Sequence, residues 1–214
     1  MSTYMVILGA GGFAHEASLL VEEINRWAGR KKWVLMGFID EDEAKWGKNM
    51  RGYRVLGGFE TLAEMSENVK VIGVVGDPVA KKKLVTRAEE QGRQFANLIH
   101  PQVRLAEDVS FGKGVLINKG CLLTTNITIG DHVSINPGCG IGHDVSIGSF
   151  STLMWQVNLS GAVKIGKECL IGTGATVLQE KTIENNCTVG AGAVVTKDLP
   201  ENCTAVGVPA REVQ

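Results

Sequence analysis

Neither sign of charge dominates this sequence: 22 Lys and Arg stand against 23 Asp and Glu in 214 residues. With no basic block along the chain, neither a nucleic-acid stripe nor a polybasic membrane patch is supported. Long apolar runs are missing too, since nothing approaches the roughly eighteen consecutive apolar residues of a membrane helix, and no membrane span is expected. The opening residues, MSTYMVILGAGG, lack the basic segment, long apolar stretch and small-residue cleavage site of a secretory leader. A cytoplasmic protein is therefore expected, with a small molecule or another copy of the chain as partner. There is no Cys-x-x-Cys pair among the five cysteines, and only two histidines, His132 and His143, fall after residue 101.

What is present is a period of six. Leu105, Phe111, Ile117, Leu123, Ile129, Ile135, Ile141, Ile147, Leu153, Leu159, Ile165, Ile171, Val177, Ile183, Val189 and Val195 form an unbroken series. If each position had about a one-in-three chance of being apolar, such a run would arise roughly once in ten million tries. Six matches neither the 3.6 of a helix nor the alternation of a free strand; it fits a chain that turns a corner every six residues, a solenoid. Three sides close a coil of eighteen, which stacks Phe111, Ile129, Ile147, Ile165 and Ile183 in one column, and sixteen sides make a little over five coils spaced by about 4.8 Å. Glycine often follows the apolar residue (Gly112, Gly130, Gly142, Gly148, Gly166, Gly172, Gly190), where a tight corner is expected to need a permissive backbone. Cys121, Cys139, Cys169 and Cys187 share the position four after the apolar residue with valines and Ala175, and are expected to be small core residues with free thiols. The repeat stops at Asp198-Leu199-Pro200, and the tail VGVPAREV is expected to peel off and cover part of the prism.

The first hundred residues have another rhythm. Met5–Leu8 predicts a strand that runs into Gly9-Ala10-Gly11-Gly12-Phe13-Ala14, and Glu16–Trp27 carries apolar residues at helical spacing. Val34–Ile39 and Val69–Val75 predict two more strands, ending at Asp40-Glu41 and Gly76-Asp77; Lys81–Gln91 predicts a second helix, and Phe95–Ile99 a last strand. Alternating strands and helices imply a parallel sheet with crossovers. The expected organisation is thus an α/β half-Rossmann domain over residues 1–101 and an all-β domain over 102–214. Gly9-x-Gly11-x-x-Ala14 after a strand resembles a dinucleotide fingerprint, but a hundred residues hold one mononucleotide half and not the two that grip NAD.

The repeat, the glycine-rich N-terminal unit, the segment NLIHP, the pair His143-Asp144, the run SGAVKIG and the closing VGVPA together resemble the hexapeptide-repeat acyltransferases, and within them the NeuD/PglD-type sugar acetyltransferases. The resemblance implies a left-handed parallel β-helix, a homotrimer, acetyl-CoA as co-substrate, no metal, and transfer of acetyl to a sugar: N-acetylation of a nucleotide-linked amino sugar, or O-acetylation of sialic acid or a related sugar. It further implies that His143 is the general base, that Asp144 raises its basicity, and that the Gly161 N–H holds the acetyl carbonyl. Asn136 matches an asparagine near that base; a structural ladder with Asn118, eighteen residues away, is the alternative. Thr152, Gly161, Thr173 and Ala191 match positions that contact acetyl-CoA, Thr152 standing where a histidine is known in the group. Gly11, Gly12 and Phe13 match the loop that takes the nucleotide-sugar, with Asp40, Glu41, Gly76, Asp77 and Lys81 around it; Phe13 replaces a common histidine.

Eighteen-residue spacing bears on the choice of base independently. One coil above His143 stands Gly161, which has no side chain to block an acetyl group, whereas Phe150 stands above His132. His132 is accordingly expected to be a packing or surface residue. A zinc carbonic anhydrase on the same prism needs three converging histidines, and His132 and His143 have none above or below them. A sugar-nucleotide-binding trimer without catalysis is the remaining alternative.

Overall fold

A computed structural model of the chain describes residues 2–213, which divide into two compact units with the boundary between Leu98 and Ile99. Ile99 and His100 already belong to the second unit, where the His100 N–H donates to Ile117 O at 2.9 Å.

In the first unit, β1 (Thr3–Leu8) is followed by α1 (Gly12–Trp27), β2 (Trp33–Ile39), β3 (Asn49–Met50), β4 (Tyr53–Gly57), α2 (Phe59–Glu64), β5 (Lys70–Gly73) and α3 (Pro78–Glu90). The sheet runs β3-β4-β2-β1-β5. All its pairs are parallel except β3 with β4. β1 is central and Met5, Val6, Ile7 and Leu8 are fully buried, which explains an uninterrupted apolar run in place of alternation. α1 buries Ala14, Ala17, Leu20, Val21 and Ile24, the helical spacing that places these residues on one face. It ends at Ala28 and Gly29, the latter at φ +63°. The hairpin β3–β4 and helix α2 are additions to the sequence expectation. The predicted strand Phe95–Ile99 shrinks to Leu98–Ile99, with Phe95 making a lone bridge to Val71.

The second unit is a left-handed parallel β-helix of two-residue strands, three columns deep in stacked pairs. Phe111, Ile129, Ile147, Ile165 and Ile183 pair in register, residue on residue eighteen apart. The four isoleucines fill one core with the valine and cysteine column, while Phe111 at the first coil is exposed; Cys121, Cys139, Cys169 and Cys187 are buried free thiols. Burial pushes the Cys169 thiol up to about 11, far from the thiolate a nucleophile requires. From Phe111 to Val189 the chain turns with left-handed backbone at the third residue after each apolar one, for example Asn126 (φ +53°), His132 (+58°), Asp144 (+62°) and Gln156 (+58°).

That places the corner two residues later than the glycines suggested. Gly142, Gly148 and Gly166 do not have positive φ; they are needed because the next coil passes against them. A Cβ on Gly148 would lie 2.5 Å from the carbonyl of Gly166, and one on Gly142 would lie 2.8 Å from the Gly161 nitrogen. The tail also departs from expectation. Thr204–Val206 adds one more parallel rung against Thr188–Val189, and Arg211–Val213 folds back antiparallel on it, so the C-terminus extends the helix and does not peel away.

Ile165 is 3% exposed between Ile147 and Ile183. Ile165→Ala should therefore lower unfolding free energy by about 2–5 kcal/mol, measured by denaturant titration of the second unit's transition.

Candidate active site

His143 and Asp144 sit at one corner of the β-helix, at the second and third positions after Ile141, just past the end of the Gly140–Ile141 strand. Asp144 takes the left-handed corner conformation, which Asp and Asn tolerate better than other residues with a side chain. Its Oδ2 lies 2.7 Å from His143 Nδ1, and its Oδ1 accepts from Asn126 Nδ2 at 2.5 Å. The hydrogen bond to His143, and after it the one from Asn126, hold the Asp144 carboxyl below the usual carboxylate range. A carboxylate facing Nδ1 favours, in the neutral ring, the tautomer with its proton on Nδ1 and a lone pair on Nε2. That nitrogen is directed at Gly161 on the next coil: a Cβ there would overlap Nε2 and Cε1 and stand 3.0 Å from Cδ2. The Gly161 N–H donates to no other group among the described residues. An acceptor nitrogen and an open main-chain donor therefore share one exposed corner, the pairing that acyl transfer needs for proton removal and oxyanion stabilisation.

Other expected residues fall elsewhere. Asn136 is 2% exposed, and its amide donates to Leu153 O at 2.9 Å and approaches Met154 Sδ at 4.0 Å; it is tied to the next coil and not to His143. His132 is 1% exposed and stacks on Phe150 with ring centroids 5.0 Å apart, a packing residue. Thr173 and Ala191 are exposed, but they share a corner with Pro137 and Trp155, one side of the prism away from the His143 and Gly161 corner. Thr152 is fully buried. Its hydroxyl is closed to a carrier arriving from solvent.

The first unit holds a cavity of about 450 Å³ lined by Gly9 to Phe13, Asp40, Glu41, Lys45, Val74 to Gly76, Ala80, Lys83 and Leu84. Six expected residues converge here: Gly11, Gly12, Phe13, Asp40, Glu41 and Gly76. Asp40 organises the wall, accepting from the Ala10 N–H at 2.7 Å and the Asp42 N–H at 2.9 Å and pairing with Lys45 at 3.1 Å. Glu41 pairs with Arg87. The N-terminus of α1 has no side-chain cap, and a Cβ at Gly11 or Gly12 would meet nothing within 4 Å. Open main-chain N–H groups at a helix start, beside Lys45 and Lys83, suit a phosphate.

Two expected residues do not line this cavity. Asp77 caps α3, its carboxylate accepting from the Ala80 N–H at 2.7 Å. Lys81, one turn on, is completely buried, and that burial pulls its ammonium down to about 7. The lysines at the cavity are Lys45 and Lys83, which the sequence reading had missed: Lys45 ends a short 3-10 turn after β2, and Lys83 is the one of three consecutive lysines that lines the cavity from an exposed position, Lys81 being buried. Among the described residues no three His, Cys, Asp or Glu gather as a metal site, and no helix is long and apolar enough to cross a membrane.

The family profile described as the PglD N-terminal domain matches residues 5–88. No curated sequence matches the chain. Solved structures are similar over nearly its whole length, three of them as follows. A perosamine N-acetyltransferase variant from Caulobacter crescentus, in complex with CoA and GDP-perosamine, is 30% identical over 98% of this chain and 96% of its own, with a TM-score of 0.87. WeeI from Acinetobacter baumannii is 29% identical over 99% of this chain and 100% of its own, TM-score 0.88. The acetyltransferase domain of PglB from Neisseria gonorrhoeae, in complex with acetyl coenzyme A, is 25% identical over 100% of both chains, TM-score 0.86.

Because the Asp144 carboxyl is held low, the stability it lends is present above about pH 4 and lost as pH falls through its folded-state value. In a carbon-detected carboxyl titration by NMR, Asp144 should titrate below the free-Asp value of about 3.9 and move up toward it in His143→Ala.

Proposed function

Since the chain belongs to the hexapeptide-repeat sugar acetyltransferases, we propose that it transfers acetyl from acetyl-CoA to the amine of a nucleotide-linked amino sugar in the synthesis of a surface polysaccharide or other glycan precursor. The observation that carries this reading is the His143–Asp144 pair with Nε2 directed at Gly161.

In the proposed reaction the amine nitrogen attacks the thioester carbonyl while His143 Nε2 takes its proton. The carbonyl oxygen, now negative, is held by the Gly161 N–H, and Asp144 stabilises the imidazolium through Nδ1. Collapse of the tetrahedral intermediate breaks the carbon–sulfur bond, and the thiolate of CoA leaves with the proton returned from Nε2. The nucleotide diphosphate of the acceptor is assigned to the cavity of the first unit, its phosphates at the N-terminus of α1 with Lys83 and with Lys45, which Asp40 holds in place. Relatives with CoA and GDP-perosamine, and with acetyl-CoA, support both ligand classes.

The working assembly is a homotrimer in the cytoplasm. A single chain presents His143 and Gly161 on one corner and Thr173 and Ala191 on another. A carrier that touches both sets lies in a groove between two copies, so the corner of one protomer completes the site of the next.

The decisive measurement is thiol release from acetyl-CoA with a panel of UDP-, dTDP- and GDP-linked 4-amino sugars alongside free sialic acid. Turnover is expected with one of the nucleotide amino sugars; turnover of sialic acid alone replaces N- with O-acetylation, and none with any acceptor leaves a binding module. His143→Ala should lower kcat about 10²-fold or more. Gly161→Ala, whose methyl would collide with the imidazole, should lower kcat while the trimer, followed by sedimentation, persists.

A further inference from the structure

Asn126 stands eighteen residues before Asp144, at the same corner one coil earlier, and both have left-handed backbone, φ +53° and +62°. The two corners are joined twice. The Asp144 N–H donates to Thr125 O at 3.1 Å, and Asn126 Nδ2 donates to Asp144 Oδ1 at 2.5 Å. The other oxygen of the same carboxylate, Oδ2, faces His143 Nδ1 at 2.7 Å. All three side chains are exposed in the single chain, where an Asp side chain left to itself rotates freely about χ1 and χ2.

We propose that Asn126 is a positioning residue for acetyl transfer: by holding Oδ1 it fixes the Asp144 carboxylate so that Oδ2 keeps the proton of His143 on Nδ1 and the lone pair of Nε2 over Gly161. The inference rests on His143 as the base. It explains why an amide occupies this corner. One coil further back the column continues with Asp108, which accepts from the Thr125 hydroxyl and the Asn126 main-chain N–H. A third carboxylate at 126 would stack three like charges along one edge, whereas an amide separates Asp108 from Asp144 and still donates. Holding a carboxylate that in turn holds a histidine tautomer is the arrangement that makes the acid of a catalytic triad costly to replace even by its amide.

Asn126→Gly removes the donor and takes the left-handed corner without strain, so the variant should fold, its unfolding midpoint lowered only by the loss of one exposed hydrogen bond. Asn126→Asp keeps the shape and removes the donor. The full chain, labelled with ¹⁵N-histidine, reports the ring tautomer of His143 in long-range proton–nitrogen spectra at a pH where the ring is neutral, with the signal assigned by its loss in His143→Ala. The wild type should show the Nδ1–H form; both variants should move the population toward Nε2–H, lower kcat by about 10-fold, and leave KM for acetyl-CoA and for the acceptor within about twofold. Asn126→Gln, which keeps the amide, should recover part of both signals. A wild-type tautomer balance in Asn126→Gly overturns the assignment, and so does a fall in kcat that the tautomer does not accompany. Retained turnover in His143→Ala sinks the role of the base instead, and the tautomer measurement still decides for Asn126 because it needs no turnover.

Discussion

The second unit depends on one interaction repeated along the chain: a main-chain N–H that donates to the carbonyl seventeen residues on, as from Ser110 to Ile127, Gly112 to Ile129, Thr152 to Cys169 and Thr176 to Ala193, each at 2.8–2.9 Å. A parallel rung of this kind only closes if every coil contains the same number of residues. Equal coils force equal surroundings on residues eighteen apart. The isoleucine columns, the valine and cysteine columns, the left-handed corners and the glycines beneath a passing backbone are all consequences of that count.

The chemistry uses what the count leaves over. Inward positions are committed to the core, and beyond the first coil the flat sides expose at most one residue per two-residue strand. The corners are different, because their left-handed backbone favours Gly, Asn and Asp, although His132, Phe150 and Glu168 also adopt it. Asp144 satisfies a backbone requirement and supplies a carboxylate in the same position, next to a histidine that needs one. Gly161 likewise occupies a corner position where its lack of a side chain admits an imidazole from below. Little strain is added by placing such a pair here, and a rigid stack holds both partners from either side.

How far all this was legible in the sequence depends on the range of the forces concerned. Sixteen apolar residues in phase made the coil and its eighteen-residue register readable before any coordinate. The strands β1, β2 and β5 and the helix α1 were also visible, because each buries an apolar run or face, and α3 was visible from its spaced Val85 and Ala88 despite the lysine it buries. The hairpin from Asn49 to Gly57 and helix α2 were not: their strands are short, and only pairing at the sheet edge defines them. Side-chain direction was the other blind spot. Asp77 and Lys81 share their helix start with the cavity, yet one turns back to cap the helix and the other points into the core. Asn126 lay within reach of the same ruler that picked out Gly161, had it been applied downward from Asp144 as well as upward from His143.

Because the stack is built from interchangeable coils, chain length and site geometry are separable quantities. Adding one full coil lifts everything above it by a single strand spacing, about 4.8 Å, and leaves each residue on its own edge. Adding one side of six turns everything above it by a third of a revolution, and would carry a histidine at one edge away from the glycine it faces. The lengths open to such a chain in evolution are therefore quantised, and the distance between a base and whatever lies above it can only change in whole steps.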